Sequence, residues 1–270
     1  MVSWLKRFLP QADARQAQAP QDDIAARMAQ AYTASEQGDY SAALEIWAQL
    51  AHAGVPRAQN NIGACFAEGL GVERDDALAL KWLTLAAEGG DAVGQRNLAA
   101  LYFKGEGAPQ DYLRAAELYR QAAEAGDAPA QDMLSWMLLE GEVMPPDPAQ
   151  ALDFAQRAAE KGVASSMTRI GMMYHNALGV PRDPAEAAAW WRKAAELGDA
   201  DGQAMLGAAH HLGAGVERDP ERALSLLVVA RKNGSALADR FLAPAREALP
   251  RETAVAIERQ ALAQSTEAMT

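Results

Sequence analysis

Six glycines recur at a constant interval of 36 residues along this chain, and that interval restricts the folds open to it. Each glycine ends an alanine-rich stretch; they are Gly54, Gly90, Gly126, Gly162, Gly198 and Gly234. Chance does not produce five identical intervals in succession. A fixed period of about 20–50 residues is typical of repeat architectures, in which each unit stacks on its neighbours.

An aspartate keeps the same register and predicts the start of a helix in every repeat. The aspartates are Asp39, Asp75, Asp111, Asp147, Asp183 and Asp219. Their side chains can accept hydrogen bonds from the first free amides of a helix. The helix, which we name helix B, then runs to the glycine, whose left-handed conformation ends it. Its large apolar residues form the column Ile46, Trp82, Leu118, Phe154, Trp190 and Leu226. We expect Trp82 and Trp190 to be buried at the junctions between repeats.

A shorter helix, helix A, precedes each helix B. It begins near a capping residue, namely Asp91, Asp127, Asp199 or Ser235. Its main apolar column is Ile62, Leu98, Leu134, Ile170, Leu206 and Leu242. A small residue follows each of these, where two helices can pack closest: Gly63, Ala99, Ser135, Gly171, Gly207 and Ala243. Glycine-bearing loops join A to B, and Val143 in place of the second glycine predicts a differently shaped loop there. The pattern therefore predicts an all-α fold of stacked helix pairs.

These columns resemble the Sel1-like repeat family, a variant of the tetratricopeptide repeat. The unit 166–198 matches the family pattern at Ile170-Gly171, Tyr174, Gly179-Val180, Asp183, Ala187, Trp190, Ala194-Ala195 and Gly198. The resemblance implies a right-handed α-solenoid of stacked antiparallel helix pairs, with helix A on its concave side. It also implies a non-enzymatic scaffold or adaptor that binds a segment of another protein, within a bacterial signalling or envelope-associated assembly.

The pattern divides the chain into five segments. Residues 1–21 form a flexible N-terminal segment with a short amphipathic stretch, and the solenoid covers 22–250. Within the solenoid, 22–54 resemble a tetratricopeptide hairpin, 55–234 form five 36-residue repeats and 235–250 form a capping helix; 251–270 form a last helix and tail. Residues 1–9 carry an apolar edge beside two cations, which predicts either weak contact with a membrane or partner, or a disordered tail. Capping ends at both termini favour a monomer.

Composition narrows the class of partner. The chain has 36 acidic and 25 basic residues and a net charge of −11, which argues against nucleic acid as a partner.

The cysteine content and the N-terminus bear on the compartment. Cys65 is the only cysteine, so no intramolecular disulfide can form. No apolar run approaches the roughly 18 residues that span a bilayer. Lys6 and Arg7 interrupt the N-terminal apolar residues, as a secretory signal would not. We therefore expect a cytoplasmic protein.

The candidate partner-binding residues lie two and five positions after the Ile62 column, where we expect them to project away from helix B. The bulky members are Phe103, Trp136, Leu139, Met172 and His175, and His211 continues the series. Polar neighbours that could fix a peptide backbone are Asn60, Arg96, Asn97 and Arg169. Aromatic and methionine side chains are favoured at interface centres. The alternative is that these residues only fill gaps between helices.

The sequence offers no catalytic, cofactor or metal constellation. His175 and His211 occupy equivalent positions on neighbouring helices, about 8–10 Å apart, too far to share one metal ion. Ser3 and Lys6 fit the S-x-x-K pattern of penicillin-binding enzymes without its companion motifs. Two alternatives to the scaffold are a hydrolase of cell-wall fragments or β-lactams, by analogy with relatives, and a membrane-tethered scaffold.

Overall fold

The computed structural model describes residues 21–267, with side chains over 22–263. Within that range the regular secondary structure is entirely helical, and no strand is present. The α-helices are α1 Gln21–Glu36, α2 Tyr40–His52, α3 Pro56–Glu68, α4 Asp76–Glu88, α5 Ala92–Lys104, α6 Tyr112–Glu124, α7 Ala128–Glu140, α8 Pro148–Glu160, α9 Ala164–Asn176, α10 Pro184–Glu196, α11 Ala200–Leu212, α12 Pro220–Lys232, α13 Asp239–Glu247 and α14 Arg251–Glu267. A short 3-10 helix, Ala236–Ala238, precedes α13. Two compact units divide the chain, residues 1–131 and 132–270.

Both units consist of stacked helix pairs. In the first unit α1 packs on α2, α3 on α4 and α5 on α6, and helix A of one repeat (α3) contacts that of the next (α5). In the second unit α9 packs on α10 and α11 on α12, and α9 contacts α11. At its C-terminal end, Ala254 and Ala261 of α14 are buried against Leu224 and Val228 of α12. These pairs confirm the predicted α-solenoid.

The predicted ends of helix B are confirmed. Each of the six aspartates accepts at least one hydrogen bond from an amide in the first turn. Each glycine after helix B has a positive φ, between 80° and 96°. Asp91, Asp127 and Asp199 cap helix A in the same way. Ser235 does not: its hydroxyl donates to Asp201 Oδ1 at 2.6 Å, and a 3-10 turn follows instead of an α-helix.

The connections between A and B also follow the glycine pattern. The second loop glycine has a positive φ at Gly71, Gly107, Gly179 and Gly215, and Val143 does not. The loop after α7 is therefore shaped differently, as predicted. One residue departs from the pattern at the end of helix A: Ala177 takes a left-handed φ of 57°, where the other repeats have glycine.

The fully buried tryptophan of the fourth repeat is Trp191, and Trp190 is only partly buried. Trp82 is buried as expected. Trp190 is half-buried and packs against the cluster that includes Met167 and Ile170, whereas Trp191 is only 2% exposed. The reason is the position of helix A, because its small residue Gly171 on α9 leaves room for the indole of Trp191. The neighbouring indole of Trp190 instead lies beneath the Lys193 ammonium, 3.9 Å from the ring centroid.

A glutamine column, absent from the sequence predictions, links successive repeats. Three residues before the Ile62 column, each side-chain Nε2 donates to a carbonyl near the end of the preceding helix B. The bonds are Gln59 to Ala51 (3.1 Å), Gln95 to Ala87 (3.5 Å), Gln131 to Ala123 (3.0 Å) and Gln203 to Ala195 (3.5 Å). Met167 holds this position on α9. A thioether cannot donate, so the α8–α9 junction lacks the bond.

Candidate partner-binding surface

The predicted binding residues fall into two groups, one in each unit. Phe103, Asn60, Arg96 and Asn97 belong to the first unit. The second unit holds Trp136 and Leu139 on α7, Arg169, Met172 and His175 on α9, and His211 on α11.

The helix A surface of the second unit is rich in methionine and tryptophan. Met172 is 39% exposed, and Trp136 is half-buried. Met133 lies three residues before Trp136, and residues three apart share a helix face. Met205, half-buried, holds the equivalent position on α11, where it also packs against the core cluster of α10 and α11. We name Met133, Trp136, Met172 and Met205 the Met–Trp surface. Met133 and Met205 were not among the predicted residues, although both lie just before a residue of the Ile62 column.

Two of the positions five after the Ile62 column, Phe103 and His175, contact helix B, contrary to expectation. The His175 ring lies 5.6 Å from the Trp191 ring of α10, and the Phe103 ring lies 5.1 Å from that of Tyr112 on α6. The reason is helical periodicity. His175 comes four residues after Gly171, so both share the face that packs on Trp191.

Arg169 belongs to a polar network between α7 and α9. Its Nη1 donates to the Asp132 carboxylate and, at 3.0 Å, to the Asp132 carbonyl. The hydroxyls of Ser165 and Ser166 donate to the same carboxylate. Arg169 therefore fixes one helix A to the next at the edge of the Met–Trp surface.

The polar residues of the first unit likewise join its helices. Asn97 Nδ2 donates to Oδ1 of the buried Asn60 at 2.8 Å. Arg96 Nε lies 3.3 Å from Asp127, the cap of α7. Alanines hold the positions two after the Ile62 column, so the first unit has no counterpart of Trp136 or Met172.

The described residues offer few groups suited to metal binding or catalysis. No cluster of three or more His, Cys, Asp or Glu side chains among them could hold a metal ion. Burial, reinforced by Glu68, raises the pKa of the Cys65 thiol to about 12. None of the helices in this range has the length and apolar character to cross a bilayer. Ser3, Lys6 and the predicted contact segment 1–9 lie outside the described residues.

Stacked helix pairs, with an aspartate cap and a glycine stop in every repeat, define an α-solenoid repeat protein. The Sel1 repeat pattern matches five consecutive segments, residues 56–91, 92–127, 128–163, 164–199 and 200–235. The chain belongs to the Sel1 repeat family. Solenoids built from this repeat commonly serve as protein-interaction scaffolds.

One of the solved structures similar to this chain shares its architecture closely. A Sel1 repeat protein from Oxalobacter formigenes is 31% identical, with a TM-score of 0.76 over 80% of this chain and 86% of its own. The protective antigen c5321 of uropathogenic Escherichia coli is 23% identical, over 87% and 68% of the two chains, with a TM-score of 0.40. Immunity protein Pa5087 of Pseudomonas aeruginosa is 22% identical, over 76% and 81%, with a TM-score of 0.46. No curated protein matched the sequence.

Proposed function

We propose that this protein is a non-enzymatic, cytoplasmic adaptor that holds a segment of a partner protein on the Met–Trp surface. The supporting observations are the exposure of Met172 and the partial exposure of Trp136, on the A helices α9 and α7, which the Arg169–Asp132 hydrogen bonds join. Tryptophan and methionine are enriched at the centres of interfaces. Methionine side chains also adapt their shape to a bound segment. We further propose that the protein acts as a monomer.

Paired variants test the surface. Trp136→Ala with Met172→Ser removes its bulk, and Leu197→Ser is the matched control, because Leu197 is exposed at the end of α10 on a B helix. The tagged proteins are expressed in the source bacterium, and bound proteins are quantified by mass spectrometry. We expect at least one partner to fall by about tenfold with the double variant and to stay unchanged with the control.

Circular dichroism distinguishes loss of binding from unfolding in this test. A double variant with native helical content that still retains every partner contradicts the proposal. If the double variant unfolds, Trp136 and Met172 belong to the core and the surface assignment fails. Phe103→Ala, examined in the same way, tests the predicted site of the first unit, which includes Asn60, Arg96 and Asn97.

The single cysteine does not favour the hydrolase alternative. Cys65 has a potentially nucleophilic side chain, but it is buried, and burial raises its pKa so that the neutral thiol is favoured over the thiolate. The membrane-tethered alternative depends on residues 1–9 and stays a prediction. Co-sedimentation with liposomes that is unchanged after deletion of residues 1–10 would count against it.

A further inference from the structure

Two arginines hold equivalent positions in the loops after α9 and α11. Arg182 Nε donates to the His175 carbonyl, and Arg218 Nε donates to the His211 carbonyl, both at 3.2 Å. Both arginines are exposed, and neither forms an ion pair with a described residue. Each guanidinium is thus anchored by one edge, and its terminal Nη groups have no acceptor in the described part of the chain.

Arg74 shows what these two arginines lack. It occupies the same position in the first repeat, where it bonds to Asp76 at 2.8 Å and to Glu106 at 2.9 Å. The second unit has replaced both carboxylates. Proline stands at the Asp76 position in both repeats (Pro184 and Pro220), and the Glu106 position holds Ala214 and Pro250. The Arg74 guanidinium is therefore paired with carboxylates of the protein itself. The guanidinium groups of Arg182 and Arg218 can instead bind a carboxylate of another molecule.

Exposed apolar side chains accompany the two arginines. Leu178 follows α9 and is 40% exposed, and Leu212 ends α11 and is 62% exposed. At the position of Leu212 the other repeats have Glu68, Lys104, Glu140 and Asn176. Because α9 and α11 are in contact, the two arginine anchors are separated by about one helix spacing, roughly 8–10 Å.

We propose that Arg182 and Arg218 bind an acidic segment of the partner protein, with Leu178 and Leu212 receiving an apolar side chain between its two carboxylates. A guanidinium binds a carboxylate through two parallel hydrogen bonds. A bound segment in the polyproline II conformation has three residues per turn and rises about 3.1 Å per residue, so carboxylates three residues apart share one face and match the separation of the anchors. This inference rests on the proposed function and adds the chemistry of the bound segment.

The chain itself supplies the variant that removes only the charge. Gln110 occupies the same loop position in the second repeat, and its Nε2 donates to the Phe103 carbonyl at 2.8 Å. Arg182→Gln with Arg218→Gln therefore keeps the loop hydrogen bond and discards both cations. Arg192→Gln with Arg240→Gln is the matched control, because both are exposed arginines without a described ion pair, on α10 and α13.

A random-peptide phage library, panned on the full-length protein, identifies the preferred segment, and fluorescence anisotropy measures the selected peptides. We expect two acidic residues three apart around an apolar one. Binding should weaken about tenfold with the Arg182→Gln/Arg218→Gln variant and with raised salt, and remain unchanged with the control variant. Selected peptides without acidic residues, or with equal affinity for both variants, overturn the inference.

The outcomes separate this inference from the proposed function. Peptides that ignore Arg182→Gln/Arg218→Gln but are lost with Trp136→Ala/Met172→Ser overturn the acidic specificity and leave the Met–Trp surface as a binding site. Peptides that ignore both pairs of substitutions contradict both proposals. Failure to enrich any peptide has the same meaning.

Discussion

Gly171 of α9 lies against the indole of Trp191 on α10, so closely that a β carbon at position 171 would sit 2.9 Å from Trp191 Cε2. Carbon atoms prefer a separation of about 3.5–4.0 Å. The same indole donates its Nε1–H to the Thr168 carbonyl at 3.2 Å. The Trp191 side chain of helix B therefore both packs against helix A of the fourth repeat and hydrogen-bonds to it.

Gly171→Ala should destabilise the protein. Alanine favours a helix over glycine by about 1 kcal/mol, but overlap with Trp191 costs about 1–3 kcal/mol, so the steric effect wins. Urea unfolding followed by circular dichroism should show a lower midpoint. Asn176→Ala, at the exposed end of the same helix, is the control and should change the free energy of unfolding by less than about 0.5 kcal/mol. An unchanged or higher midpoint for Gly171→Ala would show that α9 and α10 are not in close contact there.

Ala177→Gly should stabilise the protein. A left-handed φ costs an ordinary residue about 1–2 kcal/mol, and the greater freedom of glycine in the unfolded chain offsets about 0.5–1 kcal/mol of that gain. The expected net increase in the free energy of unfolding is about 0.5–1 kcal/mol, measured by urea titration. Gly213→Ala creates the reverse situation at the end of α11, where φ is 70°, and should lower stability. Opposite signs for either variant would refute this account.

Cys65 should resist alkylation in the folded protein. Its side chain is buried, and its pKa is raised to about 12, so iodoacetamide meets very little accessible thiolate. Labelling followed by mass spectrometry should be slow under native conditions and fast in denaturant. In the control, Cys65→Ala with Ala77→Cys moves the thiol to an exposed site on α4, where it should react in the folded state. Equal native rates would contradict the burial.

The same thiol makes a pH-dependent contribution to stability. Its pKa in the folded state lies above the ordinary value of about 8.5, so folding favours the neutral thiol. This contribution is fully present below the ordinary pKa and is lost as the pH rises toward 12. The difference in free energy of unfolding between the native chain and Cys65→Ala should shrink over that interval.

Gln59→Met should weaken the junction between α2 and α3. The two side chains are similar in size, so the substitution mainly removes the hydrogen bond from Nε2 to the Ala51 carbonyl. The expected loss is about 1 kcal/mol in the free energy of unfolding. Met167→Gln makes the reciprocal change at the α8–α9 junction and should raise stability by a similar amount. No change in either variant would mean that the glutamine column does not contribute to stacking.

Much of the fold followed from the sequence because capping is local. The hydrogen bond that the Glu186 amide donates to Asp183, and the positive φ of Gly198, each involve only a few neighbouring residues. Which of Trp190 and Trp191 is buried depends instead on where helix A lies. Hydrophobic periodicity identifies both as apolar and cannot rank them.

The candidate site was harder to predict, because its polar residues pair across repeats. Asn60 binds Asn97, and Arg169 binds Asp132, in each case 37 residues away along the chain. Within one repeat such side chains have no visible bonding partner, so they look available to another protein. The orientation of His175 was missed for a different reason: the Ile62 column alone does not indicate which face of helix A packs on helix B.

The missing glutamine bond at Met167 predicts a mechanical weak point in the stack. A solenoid under tension transmits load through every junction in turn, and the one between α8 and α9 carries it without a glutamine crosslink. We expect that junction to yield first when the chain is stretched. A partner bound to both Trp136 of α7 and Met172 of α9 would span this junction and oppose its opening.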